Sequence, residues 1–168
     1  MIRRLLLAMS AVLAGCAGNL PAPHSATRTA ETITVSVGPC FGFCLVYTVS
    51  MAANGEVVFD DARHTAALGE RRRKIDAAVY RAIAAELARF RPRAEEQREV
   101  ACRVKVCDQA SYDVTWTGAA GARHVIHAAG GCRDGEGAAL EAVLRTLPKR
   151  LGIAEWAQQR TYPGTSRG

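Results

Sequence analysis

The sequence predicts an α+β fold: an antiparallel sheet of about five to six strands with two main helices packed on one face. Residues 33–37 and 111–117 alternate between apolar and polar side chains, as half-buried strands do. Residues 75–90 instead repeat apolar side chains at helical spacing, and a second helical pattern follows Asp134. Because the order is strands, helix, strands, helix, both helices are expected on one side of a single sheet.

The first half of the domain is predicted to contain four strands. After the strand at 33–37, a second is expected over 45–51 and a third over 56–59, joined by Asn54-Gly55, a pair that favours a tight hairpin turn. A further short strand is expected around 64–68. Asp60 and Asp61 are expected in a turn after the hairpin, because adjacent strand residues point to opposite faces and would not form a carboxylate pair.

The clearest helix is predicted over residues 75–90, with its first turn capped by Asp76 and its end set by Pro92. The basic run Arg71-Arg72-Arg73-Lys74 opposes the dipole of this helix, so it is expected to be a solvated turn. It has neither the spread of charge nor the motif of a nucleic-acid binder.

The second half is predicted to be a hairpin followed by a helix. The strand at 111–117 turns at Gly118 to Gly121 and returns over 123–128. The second helix is expected to end at Pro148, with an apolar face made of Leu140, Val143, Leu144 and Leu147.

The start of the chain predicts where in the cell the protein is located. Arg3 and Arg4 precede a short apolar run that ends in Leu13-Ala14-Gly15-Cys16, the pattern of a secretory signal. The ending resembles a bacterial lipobox, in which the Cys receives acyl chains such as palmitate and becomes the first residue of the mature protein. The run of about ten apolar residues is half of what a membrane-spanning helix needs. Ala17 follows Cys16 instead of an Asp that retains lipoproteins at the inner membrane, so the resemblance implies the periplasmic face of a Gram-negative outer membrane.

The remaining organisation follows from that address. Residues 1–15 are predicted to be a signal peptide, 16–31 a flexible tether, 32–157 one domain and 158–168 a loose tail. Loss of the signal removes two arginines and no acidic residue, so the formal charge of +6 becomes +4.

Without Cys16, five cysteines remain, and an oxidising compartment makes disulfides the expected state. Cys40 and Cys44 form a close pair around Gly42, while a Cys102–Cys132 bond would bracket the second hairpin. Cys107 would then be a free thiol, although sequence alone does not fix the connectivity.

A family resemblance rests on several of these residues. The segment Gly38-Pro39-Cys40-Phe41-Gly42-Phe43-Cys44-Leu45-Val46-Tyr47 resembles the Cys-Phe-Gly-x-Cys-Pro-x-Tyr signature of bacterial lipoproteins that carry domain-of-unknown-function family 6438. The resemblance continues at Asn54-Gly55, at Asp108-Gln109-x-Ser111-Tyr112 before Trp116, and at Gly131-Cys132.

That resemblance covers about residues 31–147 and implies a fold and an address but no reaction. Two positions depart from the family pattern: Leu45 stands where Pro is usual, and Cys107 stands where Thr is expected. The second departure agrees with Cys107 being the unpaired thiol.

The cysteine pair also allows a thiol-dependent alternative. Cys40, Cys44, Cys107 and His64 together offer ligands that suit copper(I) or zinc. However, redox motifs use two intervening residues and a helix start, whereas Cys40 and Cys44 have three and precede a strand. His124 and His127 lie three apart in a predicted strand and so face opposite sides.

Other catalytic patterns are absent from the sequence, including the Gly-x-Ser-x-Gly elbow, the Walker loop and His-Glu-x-x-His. Gly130-Gly131 before the second helix can hold an anion, but a tight turn into that helix is the favoured interpretation. Asp108 and Asp113 are expected to be a turn residue and a solvent-facing strand residue.

The sequence therefore predicts a non-enzymatic, lipid-anchored module without a cofactor, which binds an envelope protein and no nucleic acid. The alternative is a thiol-dependent copper-binding or redox protein that uses Cys40 and Cys44.

Overall fold

The computed structural model describes residues 31–93, 97–118, 121 and 123–160, with only the backbone of residues 123 and 124. The predicted signal peptide, Cys16, the tether up to residue 30 and the tail from residue 161 lie outside the described residues. In the part of the chain that is described, neither helix is both long and apolar enough to cross a membrane.

The described residues form one seven-stranded sheet and two helices, so the α+β class is correct. Along the chain the elements are β1 Thr32–Val37, β2 Val46–Ala52, β3 Glu56–Arg63, β4 Arg71–Lys74, α1 Ala77–Ala88, β5 Gln97–Glu99, β6 Ser111–Thr117, β7 Arg123–Ala129 and α2 Gly135–Arg150. The order across the sheet is β4-β3-β2-β1-β6-β7-β5.

The sheet is mixed, whereas the sequence predicted five to six antiparallel strands. The additional edge strand β5 pairs in parallel with β7, and all other neighbours are antiparallel. The sequence gives no signal for β5, because its three residues are all polar and are too few to show an alternating pattern.

The fourth strand lies at β4 and not at residues 64–68, as the sequence had predicted. His64 has a left-handed backbone with φ 68°, and Thr65 makes only an isolated bridge to Gln159. The basic run forms the strand because an edge strand needs backbone partners on one side only, and charged side chains protect its open side from further pairing.

Two of the basic side chains of β4 contact other residues of the fold. Arg72 forms ion pairs with Glu56 at 2.8 Å and Glu70 at 2.7 Å. The guanidinium of Arg73 lies 4.9 Å from the centre of the Trp156 ring, at a distance suited to a cation–π contact. The predicted turn is therefore wrong, because these residues form a strand, whereas the predicted exposure to solvent is correct for three of the four.

The strand β3 is longer than predicted and contains both Asp60 and Asp61. The expected turn at these residues is wrong, because the ladder with β2 continues past Phe59 and pairs Thr48 with Asp60 and Tyr47 with Asp61. The Asp61 carboxylate accepts a hydrogen bond from the Thr65 hydroxyl just after the strand.

Both helices bury apolar residues in the same core. Asp76 caps α1 by accepting a hydrogen bond from the amide of Ala78 at 2.6 Å. In α2, Pro148 lies inside the last turn instead of ending the helix at that point. The buried core residues of the helices are Tyr80, Ile83 and Leu87 from α1, and Leu140, Leu144 and Leu147 from α2.

The period-two pattern of the strands determines which face of the sheet meets the helices. The buried residues of the central strands are Ile33, Val35, Val37, Tyr47, Val49, Met51, Val114, Trp116, Ile126 and Ala128. The alternate residues on the other face are partly exposed and mostly polar, with Thr34 hydrogen-bonded to Ser50 at 2.9 Å. One face is therefore the core side and the other is open.

The hairpin between β2 and β3 requires glycine at one position. Gly55 has φ 85°, and a Cβ built there would lie 2.2 Å from the carbonyl oxygen of Ile75. Replacement Gly55→Ala is expected to lower the free energy of unfolding by about 1–3 kcal/mol, measured by urea denaturation.

Gly69→Ala is the matched control, since Gly69 has φ 66° but open space around it. It should lose only the smaller amount due to backbone strain, about 1 kcal/mol. Equal losses in the two variants would contradict the close approach at Gly55.

Candidate binding cleft

Two tyrosines stand side by side on the core face where β1 ends and β2 and β6 begin. Tyr47 and Tyr112 both pair with Val37, which lies on the strand between them. Residues directly opposite on neighbouring strands point to the same face, so these three side chains form one row. This row is the floor of a cavity of about 440 Å³, which we call the tyrosine cleft.

The walls of the tyrosine cleft come from four separate segments. Its lining comprises the floor row, Cys44 and Leu45 before β2, Gln109 and Ala110 before β6, Glu141, Leu144, Arg145 and Pro148 of α2, and Gln159. The residues Cys44, Tyr47, Gln109 and Tyr112 belong to two of the sequence blocks that carry the family resemblance. These blocks are about sixty residues apart in the chain, and the fold brings them to one cavity.

Tyr47 is a buried polar group that lines the cleft. Only 8% of the residue is exposed, and its ring packs on Phe59 with 5.2 Å between ring centres. Within the described part of the chain, its hydroxyl has no hydrogen-bond partner. Burial, together with the nearby Tyr112, raises the pKa of Tyr47 to about 12. Its hydroxyl therefore stays protonated at ordinary pH and can donate a hydrogen bond to a bound molecule.

Tyr112 is half-buried and gives the cleft a partly accessible aromatic wall. Burial raises the pKa of this phenol, and the negative charge of Glu141 raises it further. Like Tyr47, it is a neutral hydrogen-bonding group at ordinary pH.

A buried carboxylate holds α2 against the end of the sheet. Glu141 is 6% exposed, and its Oε2 accepts hydrogen bonds from the amides of Gly131 at 2.9 Å and Cys132 at 3.2 Å. Its Oε1 accepts from Arg145, one turn further along the helix, with the shorter contact at 2.5 Å. Because both oxygens have charge-assisted partners, the buried charge is well compensated.

The amide pair of Gly131 and Cys132 thus does hold an anion, which is the protein's own Glu141. Gly131 has φ 74°, and a Cβ there would lie 2.5 Å from the Cγ of Gln109. Glycine therefore provides both the backbone angle and the close approach of the loop that carries Gln109.

A second cavity of about 220 Å³ adjoins the tyrosine cleft. Gln109, Glu141 and Arg145 line both cavities, while Gly131, Cys132 and Arg133 line only the second. The two cavities therefore lie on either side of the same polar group of residues.

The structure contains two disulfides, Cys40–Cys44 and Cys102–Cys132, and Cys107 is an exposed free thiol. The first closes a small ring whose Phe41 is 91% exposed, and Cys44 from this ring lines the cleft. The second joins the loop after β5 to the start of α2 and would stabilise the fold by about 3–4 kcal/mol in the chain-entropy model.

In the described part of the chain, one cluster has side chains of the kind that bind metal ions. It consists of Cys102, Cys132 and Asp134, whose potential ligand atoms all lie within 4.8 Å of one another. The two sulfurs are already bonded to each other, so this group offers no thiolate. The residues of the copper hypothesis, Cys40, Cys44, Cys107 and His64, do not belong to that cluster.

The histidines and acidic residues that the sequence offered as candidates are not among the residues that line the cleft. His64 packs edge-on against Phe43 at 5.4 Å, and His127 Nδ1 lies 2.8 Å from the Asp113 carboxylate on the open face. Asp108 has φ 58°, as a turn residue does. The side chain of His124 lies outside the described part.

Sequence reasoning missed Glu141 and the pairing of the two tyrosines. The sequence does contain a signal for Glu141. This charged residue lies next to Leu140 on the apolar stripe of α2, and Arg145, a partner of opposite charge, follows one turn later. The tyrosine pair depends on the register of β1 with both neighbours, which local patterns do not give.

The pKa of Tyr47 predicts a pH dependence of stability. A phenol has a pKa of about 10 in an unfolded chain, and Tyr47 has a pKa of about 12 in the fold. Its contribution is therefore fully present below about pH 10 and is lost as the pH rises from there towards about 12. In urea denaturation, Tyr47→Phe should lose less stability than the wild type over that range.

Absorbance of the phenolate gives the matching observation. Tyr47→Phe should remove the tyrosine that ionises at the highest pH, whereas Tyr80→Phe should leave it in place. Removal of a step near pH 10 by Tyr47→Phe would contradict the buried environment of this hydroxyl.

Comparison with known proteins supplies a family for this fold and cleft. No curated protein matches the chain significantly. The model of a family described as Domain of unknown function (DUF6438) matches residues 31–151, which include all the strands and both helices that the structure describes. The chain therefore belongs to the DUF6438 family.

Proposed function

We propose that this chain is a lipid-anchored bacterial lipoprotein that acts by binding an envelope partner through the tyrosine cleft. Cys16 would hold it at the periplasmic face of an outer membrane, and the flexible tether would let the domain reach its partner. The observation that carries the binding role is Tyr47, a buried residue that lines the cavity and whose hydroxyl has no hydrogen-bond partner among the described residues. An unpaired buried polar group is costly, so a ligand that pairs with it gains free energy.

The state of the groups in the cleft favours binding over catalysis. Glu141 is the carboxylate of the cleft, and its two oxygens are held by two backbone amides and Arg145. A carboxylate that acts as a general base must be able to reach the substrate proton. Both oxygens of Glu141 are already hydrogen-bonded within the protein. Tyr47 has a pKa of about 12 and so remains protonated, which suits a hydrogen-bonding group better than a base.

The disulfides support the proposal that the protein is exported from the cytoplasm. Four of the five cysteines outside the signal region are paired, and disulfides persist mainly in oxidising compartments such as the periplasm. This agrees with the signal and lipobox pattern that precedes the domain.

A thiol-dependent copper-binding or redox role is the second candidate. It is favoured by one observation, that Cys44 lines the same cavity as Tyr47. The two sulfurs of Cys40 and Cys44 are bonded in the structure, so this role first requires a reductant that opens the ring. The two candidates therefore differ in whether function depends on these sulfurs.

The anchoring proposal predicts where a Cys16→Ser variant will be found. After cell fractionation, the wild type should sediment with the membranes, and Cys16→Ser should lose this association because it has no thiol to acylate. Mass spectrometry of the wild type should show a first residue Cys16 that carries acyl chains.

Cys107→Ser is the control, because it makes the same substitution at an exposed thiol within the domain. It should remain with the membranes. A Cys16→Ser protein that stays membrane-bound, or a wild type without acyl chains, would overturn the lipid anchor while leaving the cleft untouched.

A further inference from the structure

We propose that the tyrosine cleft and the adjoining cavity bind an uncharged saccharide of at least two rings. This inference rests on the proposed binding role and adds the chemical class of the ligand. It follows from the charge of the lining, its hydrogen-bonding groups, its apolar walls and the number of cavities.

The charges of the tyrosine cleft cancel within the protein. Glu141 and Arg145 are its charged lining residues, and they are bonded to each other at 2.5 Å. All other residues that line the tyrosine cleft are neutral, so a charged sugar ring would find no counter-charge there. The adjoining cavity is also lined by Arg133, an exposed cation that can donate hydrogen bonds to sugar hydroxyls. Because a charge in a partly buried site needs a partner, the lining favours an uncharged ligand.

The hydrogen-bonding groups suit hydroxyl-rich molecules. The hydroxyls of Tyr47 and Tyr112 both donate and accept, and no hydrogen bond to another described residue uses either of them. The amide nitrogen of Gln109 makes only a long bond of 3.5 Å to the carbonyl of Cys107. Saccharide hydroxyls likewise donate and accept, so they can pair with each of these groups.

The apolar part of the lining complements the C–H faces of a sugar ring. Val37 lies between the two tyrosines on the floor, and Leu144 and Pro148 of α2 add further apolar surface to the lining. Tyr112 is half-buried, so part of its ring remains available for contact. A ring with one apolar face and a rim of hydroxyls matches this mixture.

An extended peptide fits the same site less well. The strands β1, β2 and β6 are internal to the sheet, so their backbone groups already pair with neighbouring strands. A peptide therefore cannot add to the sheet at the cleft, which is the common way in which sheets bind extended chains. Its backbone amides would have only the few side chains above as partners.

The two cavities indicate the length of the ligand. The tyrosine cleft of about 440 Å³ falls within the range of about 300–1,000 Å³ typical of small-molecule sites. The second cavity of about 220 Å³ shares Gln109, Glu141 and Arg145 with it. A chain of sugars can place one ring in each cavity and cross beside Gln109.

Ligand-observed NMR titration of the full lipoprotein tests this proposal. The protein is kept in a detergent without a sugar headgroup, and the neutral probes are cellobiose, maltose and N,N′-diacetylchitobiose. At least one of them should bind at concentrations below about 10 mM. Digalacturonic acid and the blocked peptide acetyl-Ala-Ala-Ala-amide serve as charged and peptide probes, and both should bind more weakly. A tetrasaccharide that binds more tightly than its disaccharide would identify a longer glycan as the ligand.

The variant Tyr47→Phe should weaken saccharide binding about five- to tenfold, because it removes one buried hydrogen bond. Tyr80→Phe is the matched control, since the Tyr80 hydroxyl instead donates to the carbonyl of Glu31 at 2.9 Å. It should bind as the wild type does. Gln109→Ala should also weaken binding, which provides a second test if Tyr47→Phe does not fold.

Three results would overturn the saccharide proposal: no neutral saccharide binds, the wild type and the folded cleft variants bind equally, or the charged probe binds best. Peptide binding that Tyr47→Phe weakens would overturn the ligand class and retain the cleft as a binding site. Saccharide binding that is lost only in Cys40→Ser/Cys44→Ser, with the fold intact, would overturn the role of the two tyrosines and assign binding to the disulfide ring instead.

Discussion

The buried carboxylate of Glu141 is the contact on which the cleft end of this domain depends. It joins α2 to the amides of Gly131 and Cys132 and is itself paired with Arg145. Removing this carboxylate leaves two backbone amides without their acceptor in the interior, at a cost of about 1–3 kcal/mol for each amide. The helix held by these bonds also carries Leu144, Arg145 and Pro148, which line the tyrosine cleft. The shape of the cleft therefore depends on an interaction whose groups do not themselves need to meet a ligand.

Other links tie the loop before β6 to the same point. The amide of Val106 donates to the carbonyl of Gly131 at 2.9 Å. The amide of Arg133 donates to the carbonyl of Val104, also at 2.9 Å. The Cys102–Cys132 disulfide adds a covalent link beside them. Gln109, carried on this loop, is thereby held at the boundary of both cavities. A site whose walls are fixed before binding loses less conformational freedom when a ligand enters.

The sequence was sufficient for the features with strong local patterns. The alternation in β1 and β6, the hairpin turn at Asn54-Gly55 and the helical stripe of α1 each match an element of the fold. The pattern of apolar and polar residues did not predict β4, which is held in the sheet by main-chain hydrogen bonds. Arg71 to Lys74 pair with β3 through main-chain bonds, which a rule based on apolar alternation does not detect.

The cleft was less predictable for a related reason. Tyr47 and Tyr112 come together because β1 pairs with both β2 and β6, a long-range arrangement that no local segment specifies. The sequence indicates that the turn at Gly130-Gly131 can hold an anion, but it does not identify Glu141, ten residues beyond Gly131, as the group that the amides of Gly131 and Cys132 bind.

Amide hydrogen exchange at Gly131 and Cys132 tests most directly whether Glu141 organises the cleft. The account predicts that both amides are protected in the wild type and exchange at least tenfold faster in Glu141→Ala, while the amides of β1 and β2 keep their protection. Arg145→Ala is the control, because it removes the exposed partner and leaves both amide bonds in place, so it should change exchange far less. Unchanged protection of Gly131 and Cys132 in Glu141→Ala would contradict the account.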